Sequence, residues 1–119
     1  MEASQSYEFS TCPLYRQDRG TFEALVSSYG EIVQLSVRES MSATERHVFA
    51  KIRALARRAG EHDAVPQDLI AIHLSALATL VKSKPPALIR ACIRQSRLLL
   101  VKLIGELALY YREQCRAGR

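Results

Sequence analysis

Between Phe22 and Val37 the apolar side chains Phe22, Leu25, Val26, Tyr29, Ile32, Val33 and Val37 return every three or four residues. That spacing places them on one face of a helix and predicts a first helix from about Gly20 to Met41. Gly30 falls inside it, where glycine costs about 1 kcal/mol relative to alanine, so it marks either a close backbone approach or a tolerated defect. Ser42-Ala43-Thr44-Glu45 has the capping-box pattern of a helix start. The second helix then runs to about Ala59, with Val48, Phe49, Ile52, Leu55 and Ala56 inward and Gly60 as its stop. Pro66 suits the first turn of a third helix, and Asp68 complements the positive end of its dipole. This helix continues to about Lys82. Asp68, Ser75, Thr79 and Lys82 form its single polar line, leaving Leu69, Ile70, Ile72, His73, Ala76, Leu77, Leu80 and Val81 to be buried. Lys84-Pro85-Pro86 breaks the pattern, and a long fourth helix covers Pro85 to Cys115. Residues 1–15 are polar and aperiodic and read as a flexible N-terminal arm with Phe9, Leu14 and Tyr15 as anchors. Short connections make the helices antiparallel neighbours, so the expected fold is all-α, an up-and-down four-helix bundle. There is no strand pattern, repeat or low-complexity tract.

The fourth helix is the unusual one. Leu99, Leu103, Leu107 and Tyr110 line one side, and Ile89, Ile93, Leu100, Ile104 and Tyr111 line the adjoining one. Its clear wet stripe is Gln95, Lys102, Glu106 and Glu113. A third strip starts basic with Arg90, Arg94 and Arg97 and turns small and apolar at Val101, Gly105 and Ala108, flanked by Leu98 and Leu109. A helix that is apolar nearly all round is buried on more than one side. Three short companions cannot cover so wide an arc, so Leu98, Val101, Gly105, Ala108 and Leu109 are read as an interface with a second copy, making the chain a homodimer. The alternative is that the first helix covers this strip within one subunit.

Composition narrows the classes. With 119 residues, 48% of them hydrophobic, the chain is one globular domain with no room for a separate catalytic module. The net charge of +5 is uneven: residues 1–45 hold three basic and seven acidic side chains, residues 46–119 fourteen and five. Such asymmetry points to nucleic acid, an anionic surface, an acidic protein or merely a soluble surface. Cys12, Cys92 and Cys115 are odd in number and far apart, which argues against a disulfide framework or a zinc site. No signal-peptide pattern opens the chain and no run reaches the roughly 18 apolar residues of a membrane span. The expected setting is soluble, reducing and cytoplasmic.

Catalytic chemistry finds no foothold. His73 lacks a nucleophile or carboxylate on its own face, and Ala76 and Leu77 occupy the positions where a second metal ligand would stand. It reads as a structural histidine bonded to backbone or to a tyrosine. Cys92 reads as a small core residue, and Cys115 lies near the end of its helix with no cation-rich pocket evident to lower its pKa. No cofactor or metal is expected, and no acid and base pair can be assembled. Arg46, Arg53 and Arg57 with Arg90, Arg94 and Arg97 are candidate contacts for an anionic partner. As phosphate contacts they would bind in a strongly salt-dependent way. Without a nucleic-acid motif or interleaved aromatics, a solvated face or an acidic protein is the preferred reading, and a basic nucleic-acid-binding regulator the alternative.

Val65-Pro66-Gln67-Asp68-Leu69-Ile70-Ala71-Ile72-His73 resembles the apolar-Pro-x-acidic-apolar-apolar-x-Ile-His segment of the RsbU N-terminal domain family. The closing Leu107-Ala108-Leu109-Tyr110-Tyr111-Arg112-Glu113 is similar to the end of that domain and of the related KaiA C-terminal domain. Phe22 to Val33 adds a third, weaker piece, so the likeness spans roughly Phe22 to Glu113. It implies that residues 16–119 form a helical dimerisation and docking domain offering a groove to a regulatory partner. In RsbU-like proteins that partner is the switch kinase RsbT, in stress-response partner switching, and docking activates a phosphatase domain further along the chain. In KaiA-like proteins it is a peptide of the clock ATPase KaiC. Pro66, Asp68, His73 and Tyr111 are the motif positions, and His73 carries over in a structural role. The second helix here is longer and more basic than the family's, and no phosphatase domain follows Arg119. The chain therefore reads as the regulatory fragment of a PP2C-type serine phosphatase or as a free-standing module.

Overall fold

The computed structural model describes residues 12–38 and 45–117, and every regular element among them is a helix. In chain order these are α1 (Pro13–Gln17), α2 (Arg19–Arg38), α3 (Glu45–Glu61), α4 (Pro66–Ser83) and α5 (Pro86–Arg116). The expected end of the first helix at Met41 and the Ser42 capping box fall outside the described residues, as does Phe9.

Four starts or stops have a visible cause. Asp18 caps α2, accepting from the Thr21 backbone N–H at 3.0 Å and the Thr21 hydroxyl at 2.7 Å. These two bonds hold its carboxyl below the ordinary carboxylate range. Pro66 and Pro86 occupy the opening positions of α4 and α5, where a missing N–H breaks no helical bond. The stop of α3 lies further along than Gly60. The helix runs to Glu61 and closes with Ala64 N–H on the Ala59 carbonyl at 3.0 Å and Asp63 N–H on the Gly60 carbonyl at 2.9 Å. This pair of bonds is a Schellman motif, and its left-handed residue is Asp63, at φ 62°. Gly60 serves another need: a methyl group placed on it would overlap the ring of Tyr110 on α5. Gly30 has no such constraint, because a methyl there would meet Ala76 at 3.9 Å, an ordinary contact.

One core runs through the molecule. Phe22, Leu25, Tyr29 and Val33 of α2 meet Ile52, Leu55 and Ala56 of α3, Leu69, Ile72 and Ala76 of α4, and Leu99, Leu103 and Leu107 of α5, all buried. The helices α2 and α5 each pack on both α3 and α4 and on one another. The expected sequence of neighbours fails at one step, since α3 and α4 are not a closely packed pair. The turn between them passes over the end of α5, where the Tyr111 hydroxyl donates to the Ala64 carbonyl at 2.6 Å. This leaves α3 and α4 on different flanks of α5. The result is a slab of 47 × 41 × 19 Å, about two helices deep.

Of the arm expected over residues 1–15 the structure describes residues 12–15, and these are docked rather than loose, with the expected anchors Leu14 and Tyr15 packed against the core. Cys12 and Leu14 are buried, and Pro13 to Gln17 form a helical turn docked on α2 and α4. The cause is Asp68, which belongs to the polar line expected on α4 and is nevertheless 0% exposed. Its carboxylate accepts from the Cys12 thiol at 2.8 Å, the Leu14 N–H at 3.1 Å and the Val65 N–H at 2.8 Å. A buried charge needs such a full set of donors, and α1 supplies two of them. Burial, with the bond to Asp68, pushes the Cys12 thiol up to about 12, so it stays a donor at neutral pH.

Candidate functional site

The outer face of α5 is where the structure leaves apolar surface open. Leu98 is 68% exposed, Val101 70% and Leu109 46%. Gly105 and Ala108 are exposed between them, and nothing lies within 4 Å of the position a Gly105 Cβ would take. The strip is therefore not covered by α2 or by any other described residue. The same face continues toward the helix start as Arg90, Arg94 and Arg97, all exposed and without an ion pair among the described residues. Two expectations for α4 need correcting: Ile70 and Val81, read as buried, are exposed, as is Leu74. Periodicity alone could not show this, because α4 packs chiefly on α2 and α5 and leaves one side to solvent.

The other three arginines behave differently. Arg53 pairs with Glu106 at 3.5 Å and Arg57 with Glu113 at 3.9 Å, while the Arg57 guanidinium also stands 5.6 Å from the Tyr110 ring centre. Both cations are engaged along the seam with α5 rather than presented as a free basic line. The side chain of Arg46 falls outside the described residues. The seam also changes the meaning of the wet stripe. Glu106 keeps only 10% of its side chain exposed, held by Arg53 and by Lys102 at 3.3 Å, and Gln95 accepts from the Ser36 hydroxyl at 2.9 Å. Charged residues sit there because α3 brings opposite charges to meet them.

His73 is buried and joins three helices. Tyr29 Oη lies 2.7 Å from His73 Nδ1 and donates to the Ser96 carbonyl at 3.2 Å. Burial holds the imidazole below its ordinary pKa and raises that of the Tyr29 hydroxyl. Among the described residues no carboxylate or thiol bonds to the ring, and the contacts through Tyr29 tie α2, α4 and α5 together. Among the described residues no group of three His, Cys, Asp or Glu side chains is placed to hold a metal ion. No described helix is long and apolar enough to cross a membrane.

The motif residues Pro66, Asp68 and Tyr111 gather around the turn between α3 and α4, and His73 lies two turns along α4 from them. Their roles here are capping, anchoring α1 and holding the Ala64 carbonyl. No family model, curated protein or solved structure matches this chain. The likeness to the RsbU and KaiA domains accordingly rests on the segments that carry it.

Proposed function

We propose that the chain is a non-enzymatic regulatory module in which α2 to α5 form a four-helix bundle, a second copy covers the outer face of α5, and the dimer docks a signalling protein. The partner class is a switch kinase of RsbT type, or a KaiC-like peptide, in bacterial partner switching or stress response. The observation that supports this is the open strip of Leu98, Val101, Gly105, Ala108 and Leu109 on a helix whose opposite side is core. Each of the three large side chains in it would gain about 1.5–3 kcal/mol from full burial.

The strip is also self-complementary. An antiparallel twin crossing at Gly105 sets Val101 against Leu109 and Leu98 against the stem of Arg112, since each pair lies equally far on either side of the glycine. The crossing point is where two backbones come closest, and Gly105 has open space above it. Replacing Val101 by Asp, or Ala108 by Asp, is expected to give a folded monomer by analytical ultracentrifugation and circular dichroism. A wild-type chain that already sediments as a monomer at tens of micromolar concentration, roughly the range of weak specific complexes, rules the dimer out.

A further inference from the structure

We propose that the groove between α2 and α3 binds a small amphipathic anion, a carboxylate or phosphate head on an unbranched apolar body. The groove encloses about 460 Å³, within the span of roughly 300–1,000 Å³ usual for small-molecule sites. Its floor is apolar: Ile32 and Leu55 are buried core residues that show only an edge, and Leu35 is partly buried beside them.

Charge is distributed unevenly along the groove. The Arg58 guanidinium donates to the Ser28 hydroxyl at 3.2 Å, which sets the late part of α3 against the middle of α2. The two helices therefore run antiparallel, and Arg38, His47 and Lys51 fall together at the opposite end. Arg38 and Lys51 are exposed and make no ion pair among the described residues. Among the described lining residues the one carboxylate, Glu31, lies toward the Arg58 end. Lys51 and Arg58 are separated by about 10 Å along the helix axis. One end thus offers two exposed cations, Arg38 and Lys51, for an anionic head, and the floor between offers an apolar track for the body that follows. A neutral molecule would leave those cations unanswered, and a small hydrophilic anion would leave the floor wet.

This site is on a different face from the α5 strip and does not depend on dimerisation or on docking of a protein. The test titrates isotope-labelled chain at fixed ionic strength with decanoate and decyl phosphate, each kept below its micelle-forming concentration, and with decanol, kept below its solubility limit. Decanoate and decyl phosphate are expected to shift the amide signals of Ile32, Leu35 and Leu55, and the tighter of the two identifies the head. Decanol, which lacks the charge, is expected to bind about tenfold more weakly or worse, the loss that goes with one charge-assisted hydrogen bond. Lys51→Gln should weaken decanoate by a similar factor, and Lys51→Arg should restore it. Equal binding of decanol, shifts gathered at Leu98 and Val101 instead of the groove, or no shift at all would overturn the proposal.

Discussion

Asp68 shows how one side chain can be read correctly for its local role and wrongly for its surroundings. Its place three residues after Val65 makes it a helix-start acid, and the Val65 N–H does bond to it. Nothing in the sequence near residue 68 says that Cys12 and Leu14 also point donors at it from the other end of the chain. Asp68→Ala should cost about 3–6 kcal/mol, because hydrogen bonds to a charged acceptor are worth roughly 1.5–3 kcal/mol each and two buried donors are left unmatched. Asp68→Asn should cost less, since an amide oxygen still accepts. Chemical denaturation of the two variants checks the order. His73 makes a second prediction at this scale. Its native ring resists protonation, whereas the unfolded chain takes up that proton near the ordinary value of 6.5. The stability it contributes is complete above that pH and is lost as the pH falls below it, levelling off beneath the depressed native value. Urea midpoints at about pH 7.5 and 5.5, on either side of that reference value, should differ more for wild type than for His73→Gln. Parallel profiles would exclude the assignment.

Among the elements, α4 and α5 were the most legible, since a proline at each start and a long apolar period between are local signals. The helix boundaries at Ser83 and Arg116 lie within a residue of those the periodicity predicts. Less was visible where a residue answers to a distant neighbour. Gly60 looks like a helix stop, yet the chain continues to Asp63 before turning, because Gly60 is small to admit Tyr110 and Asp63 is one of the few non-glycine types that tolerate a left-handed backbone. The glycines therefore predict opposite outcomes. Gly60→Ala should destabilise by about 1–3 kcal/mol through overpacking, and adding Tyr110→Ala should relieve that clash. Gly30→Ala, with ordinary room for its methyl, should stabilise by up to about 1 kcal/mol. Thermal melts of these variants separate the two roles, and a stabilised Gly60→Ala would show that the Tyr110 ring swings aside freely. The five-residue α1 was invisible to periodicity, being too short to complete a pattern.

For the whole molecule, the thinness of the slab sets how much apolar surface can be hidden. A two-layer arrangement gives every long helix at least one wall toward solvent, and on α5 that wall carries Leu98, Val101 and Leu109. The wide apolar arc of this helix was legible in the sequence. Which part of it stayed outside depended on α3 taking the charged side, through Glu106 and Glu113, a pairing between helices distant in the chain. Gly105→Ala offers a measurement that one chain and two chains answer differently. In an isolated chain it should stabilise by about 1 kcal/mol, as for any exposed helical glycine. In an associated pair it should weaken assembly, because the added methyl separates the helices at their crossing. Sedimentation across a concentration series distinguishes these results.

The docking of α1 carries a practical warning for anyone trimming this chain. A version begun at Arg19 would retain all four long helices and look complete on a diagram. It would also withdraw the Cys12 thiol and the Leu14 amide from a carboxylate enclosed by protein. Water would have to follow into the gap, and the loosened start of α4 would make the shortened protein a misleading stand-in for the original.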